Sequence, residues 1–173
     1  MDYLKQYIIP FAGLKPGVHR FSFKVDDLFF EQFEYSEINK GDIAVEIDLE
    51  KEEKILILNF SITGEVEVHC DRCYEPFNLS IDGNERLIVK FGHDFHEENE
   101  EVQIIPEGET QINVSSFIYE YVHLLIPVRR IHPVDKNGIS MCDPEIIKRI
   151  EERESASEPD PRWEVLKKLK PNN

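Results

Sequence analysis

Three cysteines occur in the 173-residue chain, and Cys70-Asp71-Arg72-Cys73 places two of them where a single ion could take both sulfurs. One alternating apolar stretch ends at Val68 and another begins at Phe77, so the pair belongs to a tight turn between strands, as in a zinc knuckle. Two thiolates make half of a tetrahedral site. The other half must come from Cys142, His132, His123, His69 or His19. Cys142 is the only further thiol and His132 lies just past a helix stop, so Cys70, Cys73, His132 and Cys142 form the expected ligand set, with structural zinc as the ion. Nine residues separate His132 from Cys142, which is not the compact second pair of a zinc ribbon. Three alternatives compete: reduced cysteines packed as small apolar side chains, a degenerate metal site, and a redox pair. The redox motif should open a helix in a βαβ unit, and here it joins two strands.

Other chemistry has less material. The chain holds no Gly-rich phosphate loop, no GxSxG and no HExxH, and its carboxylates fall at alternate strand positions or in charge runs, where solvation explains them. No catalytic residue is expected. The acidic run from His93 to Glu101 reads as a solvated loop, against a metal site built on His93 and His96. Arg129 and Arg130, with Arg162, Lys167, Lys168 and Lys170 in the tail, are the only material for a basic patch, and bases at a helix end also complement its dipole. Trp163, the sole tryptophan, is either a partner-binding anchor or a residue that docks the tail on the chain's own sheet.

The elements that position these residues are mostly strands. Ile43, Val45, Ile47 and Leu49 alternate with polar residues, as on a half-buried strand. Lys54–Thr63 is denser in apolar residues and reads as a more fully buried strand that bends at Gly64. Glu65–Cys70, Phe77–Ile81 and Leu87–Phe91, the last after Asp82-Gly83-Asn84, fit three successive antiparallel strands. Upstream, Tyr3–Ile9 and His19–Val25 are expected strands, and Asp26–Phe33 a helical turn or two. The stretch from Gly92 to Gln111 reads as loop. A helix opening at Ser116 carries Ile118, Tyr121, Val122 and Leu125 on one face and stops at Pro127. Asp143-Pro144-Glu145 starts a short second helix, and Asp160-Pro161-Arg162-Trp163 a third. The fold class is therefore α+β, mainly β: a curled antiparallel sheet or partial barrel with a packed helix and small C-terminal helices. The expected organisation is a β-rich domain over 1–154, a polar linker over 155–159 and a terminal helix and tail over 160–173.

Acids outnumber Lys plus Arg by 35 to 20, and the net charge of -15 repels bare phosphate backbones while suiting a basic protein partner. No stretch approaches the roughly 20 apolar residues of a membrane span, and Met1–Pro10 lacks the order of a signal peptide. With an odd number of cysteines and no disulfide framework, a cytoplasmic location is expected.

Val68-His69-Cys70-Asp71-Arg72-Cys73-Tyr74-Glu75-Pro76-Phe77, then Ile118-Tyr119-Glu120-Tyr121 with Leu124-Leu125-Ile126-Pro127, then His132 and Cys142, and finally Asp160-Pro161-Arg162-Trp163-Glu164-Val165-Leu166-Lys167-Lys168-Leu169 closely resemble the YceD-like family of bacteria and plastids. The resemblance runs from about Glu46 to Lys170 and is nearest to a Bacteroidetes-like variant with few cysteines and an acidic mid-chain loop. It implies a role in accumulation of the large-subunit ribosomal RNA. Many family members carry a second cysteine cluster after the L-x-x-P segment, where this chain has only His132 and Cys142. Charge and resemblance together lead us to expect a non-enzymatic factor in large ribosomal subunit biogenesis, an adaptor that binds a ribosomal protein or an assembly or processing factor. The alternatives are a metal-dependent enzyme and a module that contacts ribosomal RNA directly.

Overall fold

The computed structural model describes residues 3–92 and 102–156. Tyr3–Tyr7 forms a 3-10 helix where a strand was expected, and only Ile8–Ile9 is extended, as β1. Packing decides this. Tyr7 is fully buried and its hydroxyl donates to the Lys24 carbonyl at 2.8 Å, while the Tyr3 hydroxyl donates to Asp26 at 2.6 Å, so one tight turn anchors both tyrosines. Next come β2 (Gly17–Val25) and α1 (Asp27–Phe30), whose N-cap Asp26 accepts from the Phe29 N–H. In β3 (Gly41–Lys51), Ile43, Val45, Ile47 and Leu49 are buried as the alternation requires.

The next two strands are longer than the sequence suggested. β4 runs unbroken from Ile55 to His69 and β5 from Pro76 to Phe91, in place of four shorter strands. Inward positions keep one parity along β4, from Leu56 through Gly64 to Val68, with Ile55 and Ile57 only half-buried. Gly64 does not end the strand: a Cβ there would strike the backbone of Asp42 and Ile43 on β3, so glycine permits the close approach. Gly83 on β5 likewise makes room for the Leu125 side chain, and Asp82-Gly83-Asn84 is strand rather than turn.

Val102–Ile105 forms β6 inside the stretch read as loop, and it pairs parallel with β5, Ile88 opposite Val102. The five-stranded sheet, in the order β2-β3-β4-β5-β6, is therefore mixed and not wholly antiparallel. β2 and β6 are its edges among the described residues. β7 (Ile112–Asn113) pairs with β1 in a separate two-stranded ribbon. α2 (Ser115–Leu124) begins two residues before the expected start, with Val114 rather than Ser116 at the cap position, and Asn113 accepts from a first-turn amide, that of Ser115. Ile118 and Val122 reach the core, and Tyr121 meets Phe60 of β4 edge-on at 5.0 Å, so α2 lies on the sheet as its apolar spacing requires.

The Lys51 ammonium donates to the carbonyls of Phe11, Ala12 and Leu14 at 2.8, 3.2 and 2.8 Å, which fixes the loop after β1. α3 (Pro144–Ala156) follows the Asp143 cap and extends into the first residues of the expected linker. The chain divides into two compact units, Met1–Val68 with Pro76–Arg130, and His69–Glu75 with Ile131–Asn173. No helix among the described residues is long and apolar enough to cross a membrane.

Candidate metal centre

Cys70 and Cys73 lie in the six-residue loop between β4 and β5, a link short enough to require antiparallel strands. Three backbone contacts shape the loop. Cys70 donates its N–H to the Glu75 carbonyl at 3.0 Å, Tyr74 donates to the Cys70 carbonyl at 2.8 Å, and the Arg72 N–H points at the Cys70 sulfur at 3.4 Å. Tyr74 closes the turn with φ 64°, a left-handed conformation unusual for a tyrosine. The His69 imidazole supports it, donating from Nδ1 to the Tyr74 carbonyl at 2.9 Å and stacking on the Tyr74 ring at 4.7 Å.

The second half of the cluster is built by a hairpin. Val134 bridges Ser140, the Asp135 N–H donates to the Ile139 carbonyl at 2.8 Å, and the Met141 N–H donates to the Pro133 carbonyl at 3.1 Å. Asp135 closes the turn by accepting from the amides of Asn137 and Ile139, each at 2.8 Å, and Gly138 supplies the positive φ of 80°. A nine-residue separation is thereby folded back on itself, so His132 and Cys142 come together without adjacency in sequence.

The donor atoms of Cys70, Cys73, His132 and Cys142 all lie within 4.8 Å of one another. Cys70 and Cys142 have their sulfurs 3.7 Å apart, and the Cys73 sulfur is 3.4 Å from Nδ1 of His132. A tetrahedral zinc with bonds of about 2.3 Å to sulfur and about 2.05 Å to nitrogen sets such pairs about 3.8 and 3.6 Å apart. The donor set therefore fits zinc in type and number, and these two pairs fit it in spacing. All three cysteines are buried and none forms a disulfide.

Electrostatics favour a thiolate at Cys70. Burial opposes its ionisation, but amides of Cys73, Arg72 and His132 and the His132 ring outweigh that and hold its pKa down to about 6. Cys142 is pushed upward, by burial first and then by its sulfur neighbours, despite the opposing Ser140 contact. Without an ion, one buried negative charge is tolerated and a second resisted. A divalent cation removes that conflict.

The remaining histidines among the described residues are engaged elsewhere: His19 with the Lys15 carbonyl at 2.8 Å, His123 with the Tyr119 carbonyl at 2.8 Å, and His69 with Tyr74. Arg130 lies 3.6 Å from Glu37. Arg129 is exposed. His93, His96, Arg162 and Trp163 lie outside the described residues. The role of His69 as the prop of Tyr74 was missed by sequence reasoning, because a five-residue return across a turn has no periodic signature.

The curated proteins contain no match to this chain, and neither do the solved structures. A family model described as "Large ribosomal RNA subunit accumulation protein YceD" matches residues 58–170, a span that includes all four clustered donors. With most of its length matched, the chain belongs to the YceD family.

Proposed function

We propose that this chain is a non-enzymatic factor in large ribosomal subunit biogenesis, a zinc-stabilised acidic adaptor that binds a ribosomal protein or assembly factor in the cytoplasm. The convergence of Cys70, Cys73, His132 and Cys142 inside the family-matched span carries the reading, together with the accumulation of the large ribosomal RNA subunit named in the family's description. Three cysteines and one histidine would hold zinc with no position left for water or substrate, which suits a structural ion rather than a catalytic one. The net charge of -15 favours encounter with basic proteins and disfavours direct binding to RNA. Direct RNA contact through Arg129 and Arg130 is the weaker reading, because Arg130 is engaged by Glu37.

Two measurements test it. Protein purified without an affinity tag is expected to carry close to one zinc per chain, lost in the Cys70→Ser, Cys73→Ser double variant. In cells depleted of the protein, the ratio of large- to small-subunit ribosomal RNA is expected to fall and to be restored by the wild-type chain only. An unchanged ratio would remove the biogenesis role, and metal-free wild-type protein would remove the zinc.

A further inference from the structure

We infer that the Cys/His-centred unit displays an apolar protein-docking surface, anchored by Tyr74 and by the pair Ile139 and Met141, for a Lys/Arg-rich polypeptide segment carrying apolar side chains. This deepens the proposed function and rests on it in one respect, that the partner is a protein.

Large apolar side chains left in water forfeit about 25 cal/mol for each Å² that burial would cover. Tyr74, Ile139 and Met141 are 77%, 64% and 60% exposed, yet the backbone of each is hydrogen-bonded, to Cys70, Asp135 and Pro133. Tyr74 directly follows the ligand Cys73, and its ring, carbonyl and amide are all engaged, by stacking on His69, by the His69 Nδ1 donor and by the Cys70 carbonyl. Met141 directly precedes the ligand Cys142. Ile139 and Met141 flank Ser140, the residue bridged to Val134, and so share one side of the hairpin. The Tyr74 ring, already stacked on His69, loses little entropy on contact, which is the condition under which an exposed aromatic becomes an anchor.

Charge selects the partner. In sequence, Asp71 and Glu75 flank Tyr74 with Arg72 between them, and Asp135 and Asp143 flank Ile139 and Met141 with Lys136 between them, so acids outnumber bases on both segments. Exposed apolar residues on segments with an excess of acids complement a basic segment with apolar residues and oppose a phosphate backbone.

The test is an array of overlapping peptides covering the large-subunit ribosomal proteins, probed with the full zinc-loaded chain, with hits measured in solution. Binding is expected for Lys/Arg-rich peptides containing apolar residues. Tyr74→Ala, and separately Ile139→Ser with Met141→Ser, should weaken it by roughly 30-fold. Tyr74→Phe keeps the ring and should bind within about threefold. Zinc content serves as the folding control for every variant. If hits bind these variants unchanged but are lost on Glu46→Gln, Asp48→Asn and Glu50→Gln, the surface lies on the sheet: the inference fails while the protein-partner reading stands. If no peptide binds but single-stranded oligouridine does, and Tyr74→Ala abolishes it, the inference and the partner class both fall. Absence of binding to either probe also overturns the inference.

Discussion

Gly64 is the residue at which a single methyl group tests the sheet. A Cβ there would meet backbone atoms of β3, which cannot rotate away as a side chain does, so Gly64→Ala should cost at least about 1–3 kcal/mol, read as a lowered urea midpoint. Asp135 tests the hairpin that brings His132 to Cys142. Its carboxyl is held below the usual carboxylate range first by the Ile139 amide and, against some desolvation, by Asn137. A folded-state pKa lowered in this way stabilises the hairpin fully above the unfolded carboxylate value of about 3.9, with loss as pH falls through the lower folded value. An NMR titration should find the Asp135 carboxyl ionising below that of an exposed aspartate, and Asp135→Ala should speed loss of the proposed zinc to a chelator. These residue-scale roles were partly legible. CxxC between two alternating stretches announced the turn, and the supply of thiols and histidines named the other two donors. The Asp135 hairpin that unites them was not read, because its two-residue arms carry too little alternation to register as strands.

At the scale of elements, the sequence misleads where glycine serves packing instead of turning. Asp82-Gly83-Asn84 has the composition of a hairpin turn, but the parity of inward positions runs through it from Phe77 to Phe91. Gly83 lacks a side chain because Leu125, just past α2, occupies the space. Gly83→Ala should therefore destabilise the protein by up to about 1 kcal/mol, less than Gly64→Ala because a side chain can shift, and Leu125→Ala in the same chain should recover part of that loss, a coupling that a double-mutant cycle measures. A turn glycine would show no such coupling. β3, β2 and the apolar face of α2 were legible because alternation and helical spacing are enforced by one buried face. β6 was not, since four half-buried residues after an acidic run show neither period. The 3-10 turn at Tyr3–Tyr7 was misread because its two tyrosines are fixed by distant partners, Asp26 and Lys24.

Across the whole molecule, charge governs encounter. An excess of fifteen negative charges should make association with a basic partner fast at low ionic strength and slow as the Debye length contracts. Stopped-flow association rates should fall steeply between low and physiological salt, while dissociation, if governed by the proposed Tyr74, Ile139 and Met141 contacts, changes little. Chemical reactivity offers a separate view of the folded chain. The Lys51 ammonium is held by the carbonyls of Phe11, Ala12 and Leu14, so an electrophile reaches its nitrogen only by displacing these three contacts. In a reductive-methylation time course followed by mass spectrometry, Lys51 should lag far behind the exposed Lys24 and Lys40. Any sample in which it keeps pace has released its N-terminal segment.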